Sequence, residues 1–212
     1  MTGEQENNRK KILQAAEKIF AEEGYDAARI DVIAAEAGVN KALIYYYFRG
    51  KRALLEQLFE RFFRESAAML IGYVKRGGLE SAPSPEADRI FDSYFAYFEA
   101  KRDLLRIMVM ESVKSREAPP PLFKLVDFAG LVDEAVVSEI RDSGLYPTQN
   151  TNQTLVAEFF TGVVPMLSYV LFKDQWCRYF AVSKEELKAH FNRAMAMTHE
   201  QYHKTVREHR SG

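Results

Sequence analysis

Apolar residues recur along most of the chain at intervals of three and four, which is the spacing of one face of an α-helix. Residues 12–20 carry the first such stripe, and Gly24 follows as a left-handed helix stop. Two short helices are predicted next, one over residues 30–37 and one that begins after the N-cap Asn40 and ends before Gly50.

These two short helices are separated by a turn that contains Gly38, which predicts a helix-turn-helix. A long helix is expected from Lys51 to about Arg76, because apolar residues continue at helical spacing without a glycine or proline until that point. The pattern therefore predicts a small three-helix domain that is joined by a long helix to a larger module.

The stretch GGLESAPSP, residues 77–85, is the best internal boundary, with Ser84 as N-cap and Pro85 at the first position of the next helix. Apolar faces follow over residues 90–98 and 104–113. Both segments predict helices of the larger module.

Three further long helices are predicted in the second half of the chain. One covers residues 122–143, and one follows the N-caps near residue 150 and runs through Phe172, with a kink at residues 162–165 from Gly and Pro. Ser183 and Glu186 form a capping box for the last helix. With no alternating strand pattern, the fold class is all-α with about nine helices.

Composition adds limits on location and chemistry. The chain has 212 residues, is 47% hydrophobic and contains one cysteine, so it has no intrachain disulfide framework. Its longest uncharged apolar stretch, residues 159–172, is shorter than the ~20 residues of a membrane span and is expected to be a buried helix. Residues 1–11 do not resemble a secretory leader. These features predict a cytoplasmic protein with no membrane partner.

The third predicted helix carries exposed aromatic and basic side chains. With successive residues about 100° apart, Ile44 and Phe48 mark its buried face, whereas Ala42 and Tyr46 lie on the opposite face, where they can reach base edges. No acidic residue lies between Glu36 and Glu56, so this region is a local basic patch despite a net charge of -1. The cations of this patch are Lys41, Arg49, Lys51 and Arg52.

Two interpretations of this patch remain from the residues alone. In the first, Lys41 reads a guanine or holds a phosphate, and Tyr47, Arg49 and Lys51 bind the DNA backbone without reading sequence. In the second, the run YYYF is ordinary aromatic packing beside a solvated charged surface.

Residues 9–55 closely resemble the DNA-binding domain of the TetR family of one-component transcriptional regulators. The resemblance is carried by AAEKIFAEEGYDAA in the first helix and by IDVIAAEAGVNKALIYYYFRGKRALL after it. It implies that residues 40–47 are the recognition helix, that Tyr47 and Lys51 contact phosphates, and that no cofactor or catalysis is involved. The residues that it implies to face the bases are Lys41, Ala42, Leu43, Tyr45 and Tyr46.

Two positions depart from the family pattern. Arg29 stands where the family usually has a threonine that opens the second helix, and it is predicted to hold the DNA backbone itself. Asp31 occupies a position from which some members reach DNA, where a carboxylate would repel phosphate or accept a hydrogen bond from a cytosine amine. Arg29 and Asn40, the N-cap of the recognition helix, complete the list of predicted DNA-binding residues.

The resemblance also implies the domain organisation, with a DNA-binding domain over residues 1–53 and an effector-binding and dimerisation domain over residues 54–212. It implies a homodimer through the last two long helices, a palindromic double-stranded DNA operator, and repression relieved by a small-molecule effector. The residues favour a mainly apolar or aromatic effector. The candidate ligand-binding residues are Tyr94, Phe98, Met108, Phe128, Phe159, Met166, Tyr169 and Trp176. Alternatively, this module binds only a protein partner.

A competing motif lies in the last helix. His199 to His203 reads HEQYH, the spacing of two zinc ligands and a general base in metallopeptidases, with His209 at the position of a third ligand. In a continuous helix, however, His209 lies about 15 Å from His199 along the axis, too far for a shared ion. The sequence therefore favours a packing helix with flanking histidines over a metal site.

Overall fold

The computed structural model of the protein describes residues 3–75, 85–114, 119–126, 152–202 and 205. Within these ranges the chain is helical and contains no strand, which confirms the all-α prediction. It divides into two compact units: residues 1–66 with 103–121, and residues 67–102 with 122–212. The functional boundary predicted between residues 53 and 54 stays a prediction.

Unit 1 begins with three helices that match the predicted helix-turn-helix domain. They are α1 (Gly3–Glu23), α2 (Ile30–Ala37) and α3 (Lys41–Phe48). Gly24 has φ of 81°, a left-handed conformation that an L-residue rarely adopts, so the glycine stop after α1 is confirmed. Helix α4 (Lys51–Lys75) starts two residues after α3, and its length matches the predicted connecting helix.

A continuous apolar core holds unit 1 together. Its largest fully buried side chains come from α1 to α4 and from α6 (Arg102–Lys114), whose residues from Asp103 onward belong to this unit. Burying side chains of this size stabilises the fold by roughly 1.5–3 kcal/mol each. The core includes Ile12, Phe20, Ile33, Ile44, Leu54, Leu58, Leu105 and Met108.

Helix α6 also makes polar contacts with the last turn of α1 and with the segment that follows it. Lys114 Nζ lies 2.7 Å from Asp26 Oδ2, and Arg106 donates to the carbonyl oxygen of Ala21 at 3.4 Å. The sequence held no signal for these contacts, because the paired residues lie more than 80 positions apart in the chain.

Unit 2 contains α5 (Pro85–Ala100), α7 (Asn152–Phe180) and α8 (Lys184–Met195). Pro85 is the first residue of α5, as predicted, whereas Ser84 lies outside the described residues. The helix predicted over residues 122–143 begins as a 3-10 turn, Pro121–Leu125, and its remainder also lies outside them. Ser183 Oγ accepts a hydrogen bond from the Glu186 amide at 3.0 Å, which confirms the cap of α8.

Helix α7 is irregular where a kink was predicted. Residues Glu158–Val163 are π-helical, between regular segments Asn152–Ala157 and Val164–Phe180. Helix α8 also continues into a π-helical segment, Ala196–Glu200, and the two segments contact each other. Gly162 lies at this crossing, because a Cβ there would come within 2.7 Å of His199 Cε1.

The sequence prediction for the end and the burial of α7 was wrong. The helix continues past Phe172 to Phe180, and within its most apolar 18-residue window only 22% of the residues are buried. By length and composition alone, α7 meets the minimum for a membrane span. A long uncharged run indicated burial, but burial depends on the neighbouring helices, and in the single chain they cover only part of α7.

Ion pairs connect α7 to the rest of unit 2. Asp174 lies 2.8 Å from both Arg102 Nη1 and Lys184 Nζ, and Lys173 pairs with Glu99. Hydrogen bonds from Lys184 and Arg102 lower the pKa of the Asp174 carboxyl below its ordinary value. These contacts fix the end of α7 against Glu99 of α5, Arg102 and the first residue of α8.

Candidate nucleic-acid interface

The turn between α2 and α3 has the geometry of a helix-turn-helix. Gly38 adopts φ of 65°, and its amide and that of Val39 bond back to the last turn of α2. Asn40 Oδ1 accepts a hydrogen bond from the Ala42 amide at 2.8 Å and thus caps α3. Both predicted signals for this turn are confirmed. Because the Asn40 oxygen is used for capping, a contact with the DNA backbone would come from its side-chain NH2, which can donate to a phosphate.

Helix α3 presents one buried and one exposed face, as the 100° spacing predicted. Ile44 is fully buried and Phe48 is 3% exposed, whereas Tyr46 is 72% exposed. Ala42 and Lys41 are also exposed, on the first turn of the helix. The second tyrosine of the run YYYF is therefore mostly in solvent, whereas Phe48 packs in the core.

The three consecutive tyrosines differ in environment. Tyr45 is 49% exposed and lies on a flank of the helix. Tyr47 is half-buried, and its ring makes edge-to-face contact with Tyr46 at 5.0 Å between centroids. Leu43 is also half-buried. The hydroxyl-bearing surface of the helix therefore comes mainly from Tyr45 and Tyr46.

Asp31 brings two predicted DNA-binding cations together. Arg29 Nη2 donates to Asp31 Oδ2 at 2.7 Å, and Lys41 Nζ donates to Oδ1 at 3.4 Å. All three side chains are between 47 and 73% exposed. Arg29 precedes α2 with extended backbone and makes no side-chain cap, so the threonine hydroxyl typical of the family has no equivalent here.

In the free chain Lys51 binds the backbone of the segment between α1 and α2. Its ammonium donates to three backbone carbonyls, those of Tyr25 at 2.8 Å, Asp26 at 3.0 Å and Ala28 at 3.1 Å. It also lies 4.8 Å from the centroid of the Tyr25 ring. An ammonium has three N–H donors, and this arrangement uses all of them. The predicted phosphate contact would require Lys51 to release at least one carbonyl.

Two further cations complete the basic patch. Arg49 is exposed and has φ of 56°, so the left-handed residue that ends α3 is this arginine, with Gly50 after it. Arg52 is exposed and pairs with Glu56 at 2.9 Å, one helical turn further along α4. The left-handed backbone conformation of Arg49 therefore ends α3 at this residue.

The candidate effector residues do not form one described site. Phe98 is fully buried and contacts Tyr94 with ring centroids 4.7 Å apart, whereas Met108, also fully buried, belongs to unit 1. Burial and the charge of Glu158 raise the pKa of Tyr94 above its ordinary value. Phe128 lies outside the described residues.

The remaining candidates are distributed along α7. Met166 is buried, and Phe159 and Tyr169 are half-buried. Tyr169 stacks on Phe191 at 4.5 Å, whereas Trp176 is 49% exposed and contacts Phe180. Trp176 is therefore on the surface of the single chain, where an enclosed cavity would not include it.

The HEQYH motif is only partly described, since His203 and His209 lie outside the described residues. His199 has a local packing role: its Nδ1 lies 3.0 Å from Thr161 Oγ1, and its Nε2 lies 3.7 Å from Glu158 Oε2. Among the residues that the structure describes, no group of three or more potential metal-ligating side chains comes together.

Comparison with known proteins places this geometry in a family. Residues 12–58 match the model of the bacterial regulatory proteins of the tetR family. The chain is 37% identical over 59 residues to YhgD of Bacillus subtilis, an uncharacterized HTH-type transcriptional regulator. It is 40% identical over 47 residues to IcaR of Staphylococcus aureus, an HTH-type negative transcriptional regulator of the icaADBC biofilm operon.

These matches cover only part of the chain. They cover 28 and 22% of this chain and 31 and 25% of the two relatives, so the chain spans less than a third of either one's length. The fold extends further: a solved structure from Mesorhizobium loti, described as a TetR-family transcriptional regulator, aligns over 93% of this chain and 97% of its own, with a TM-score of 0.59 at 18% identity. Residues 12–58 therefore form the N-terminal domain of the tetR family of bacterial regulatory proteins, and the chain shares the fold of a TetR-family structure.

Proposed function

We propose that the protein is a one-component transcriptional repressor, which binds a palindromic DNA operator as a homodimer and releases it when a small effector binds. The observation that carries the proposal is the surface of α3. Ile44 and Phe48 anchor the helix in the core, while Lys41, Ala42 and Tyr46 are displayed on the opposite face. A helix held this way can enter a major groove.

The proposed contacts divide by chemistry. The exposed face of α3, with Lys41, Ala42 and Tyr46 and the flanking Leu43 and Tyr45, would meet base edges. Tyr47, Arg29 and Asn40 would meet the backbone, which sets the register of the helix on DNA. Lys51 would join them only by leaving its carbonyl partners.

The dimer is supported by exposed apolar surface on unit 2. Phe160 is 63% exposed, and Phe172, Trp176 and Phe180, spaced by four residues on α7, are each about half exposed. Exposed aromatic surface of this extent typically marks an interaction site. A second copy of the chain that covers α7 and α8 would form a two-fold interface and place two recognition helices on one palindrome.

The effector proposal rests on the aromatic interior of unit 2. Tyr94 and Phe98 on α5, with Tyr169 on α7, supply apolar and aromatic surface suited to an uncharged or weakly polar ligand. Helices α4 and α6 each have residues in both units, so a ligand-dependent change in unit 2 would reach the DNA-binding helices through them. The alternative, a module that binds only a protein partner, predicts no small-molecule stabilisation.

Repression and a cytoplasmic location follow from the same proposal. IcaR is a negative regulator, and chromosomal DNA is a cytoplasmic partner in bacteria. The zinc-peptidase alternative has no support, because the relatives are transcriptional regulators and not enzymes.

The test begins with selection of bound fragments from genomic DNA, followed by equilibrium binding of the selected duplex. Tyr46→Ala should change the preference among selected sequences by about 1–3 kcal/mol at one position in each half-site. Val113→Ala is the control, because it truncates another mostly exposed side chain, 82% in solvent, elsewhere in unit 1. Equal losses on every sequence for Tyr46→Ala, or no selected DNA at all, would contradict the proposal.

Oligomeric state and effector are tested separately. Sedimentation should give a dimer at micromolar concentration, and Trp176→Glu should shift it toward monomer because a charge would be buried in the interface. A thermal-shift screen should find stabilisation by apolar or aromatic compounds. Stabilisation by small anions alone would contradict the effector class.

A further inference from the structure

Asp31 is an acidic side chain on a surface that the proposed function assigns to a polyanion. Its carboxylate is 47% exposed and lies in the first turn of α2, between Arg29 and the first residue of α3. Within the described residues, it is the acidic group paired with both of these predicted DNA-binding cations. Its presence there requires an explanation other than DNA affinity.

Stability does not provide that explanation. Exposed ion pairs contribute little to folding because solvent and salt screen them. Arg29 is 73% exposed and Lys41 is 51% exposed, so both pairs belong to this class. The effect of the carboxylate is therefore expected on the binding surface.

The geometry resembles that of a bound phosphate. One oxygen of Asp31 accepts from Arg29 at 2.7 Å, and the other accepts from Lys41 at 3.4 Å. A DNA phosphate likewise presents two anionic oxygens to neighbouring cations. A hydrogen bond from its own backbone amide, a hydrogen bond from Lys41 and the charge of Arg29 lower the pKa of the Asp31 carboxyl, so it stays ionised near neutral pH.

We propose that Asp31 acts as an intramolecular phosphate mimic, which occupies Arg29 and Lys41 in the free protein and thereby lowers affinity for non-operator DNA. The inference rests on the proposed DNA-binding function. Non-specific binding comes almost entirely from cations that neutralise phosphates and release counterions. On random DNA, Arg29 and Lys41 must give up Asp31 without gaining base contacts. On the operator, the base contacts of α3 offset this exchange.

The test is Asp31→Asn, which keeps the side-chain shape and removes the charge. At ~0.15 M salt, each additional phosphate contact corresponds to about a fivefold gain in affinity, so releasing one or two cations predicts about a 5- to 30-fold gain on a random-sequence duplex. The log–log salt slope should steepen by about 0.9 for each released cation. Affinity for the selected operator should rise by at least the same factor, because the same pairs with Asp31 are broken when either duplex binds.

The matched control is Glu36→Gln. Glu36 lies on the same helix, pairs with Lys18 at 2.7 Å and carries the same charge, but its partner is on α1 and outside the proposed interface. This variant should leave affinity for the random duplex and its salt slope close to wild type. Combining Asp31→Asn with Lys41→Ala should reduce the gain, because one of the released cations is then absent.

Specific results would overturn the inference. If Asp31 reads a cytosine amine, Asp31→Asn weakens operator binding at one position and leaves random DNA unaffected. An equal gain from Glu36→Gln would mean that net charge alone is responsible. If wild-type protein binds no DNA in the same titration, the proposed function fails and the inference fails with it.

Discussion

Lys51 provides the sharpest test of the structural reasoning, because its chemistry fits two roles. The family resemblance implies a phosphate contact, whereas the structure gives its three N–H donors to the carbonyls of Tyr25, Asp26 and Ala28. In the second role Lys51 holds the segment between α1 and α2 against the start of α4. Replacement by Met keeps an unbranched stem and removes every donor.

The magnitude follows from the environment of the three carbonyls. A hydrogen bond from a charged donor contributes about 1.5–3 kcal/mol, but the bond to Asp26 is exposed and water replaces it readily. The bonds to Tyr25 and Ala28 are partly buried, so their loss is only partly offset. We expect Lys51→Met to lower the free energy of unfolding by about 2 kcal/mol, or the melting temperature by about 4–8 °C.

Arg52 is the matched control, because it is adjacent, carries the same charge and makes an exposed pair with Glu56. Arg52→Met should change the melting temperature by less than about 2 °C. The assays are urea unfolding followed by circular dichroism, and DNA titration at several salt concentrations. If Lys51→Met leaves stability unchanged and reduces the salt slope by about 0.9, the carbonyl-capping role is refuted and the phosphate contact is supported.

Three further predictions concern unit 2. Gly162→Ala should destabilise the protein by about 1–3 kcal/mol in urea unfolding, because the new Cβ would lie 2.7 Å from His199 Cε1. Ala181→Gly should stabilise it by about 0.5–1 kcal/mol in the same assay, because Ala181 has φ of 54°. The pKa of Asp174 is lowered in the folded protein, so its carboxylate stabilises the fold above the unfolded pKa and stops doing so as pH falls through the folded pKa. Asp174→Asn should therefore make the free energy of unfolding fall less steeply below about pH 4.

Each of these three predictions has a control variant and a result that would contradict it. For Gly162→Ala, a second change of His199→Ala should restore part of the loss, and purely additive effects would mean that the ring is not the obstacle. For Ala181→Gly, Gly3→Ala in open space should have little effect, and a destabilised Ala181→Gly would count against the strain argument. For Asp174, an unaltered acid limb would show that its pairs with Arg102 and Lys184 contribute nothing measurable.

Local sequence chemistry was sufficient for the elements of the DNA-binding domain. The bounds of α2, the cap of α3 and the left-handed turns follow from residues a few positions apart, such as Asn40 with Ala42 and Gly38 with the end of α2. The exposed face of α3 could be predicted from the 100° between successive helical residues. Ile44 and Phe48 are four residues apart, so they lie on the same face, and both are buried. Caps and turns of this kind depend on residues a few positions apart, so the sequence predicts them without knowledge of the tertiary structure.

Contacts between distant parts of the chain were decided only by the tertiary structure. Lys51 reaches carbonyls more than 20 residues earlier, Lys114 reaches Asp26, and Lys41 on α3 reaches Asp31 on α2. The spacing of charged residues in the sequence does not predict which group each charged side chain will contact. Whether it meets water, a carbonyl or another charge depends on how the helices pack.

Burial of α7 shows the same limit for apolar residues. A long uncharged run establishes a helix with little charge, but it does not establish what covers that helix. In the folded chain only 22% of the apolar window of α7 is buried, because the packing of α5 and α8 covers only part of it. Hydrophobicity is a property of the residue, whereas burial is a property of the assembled fold.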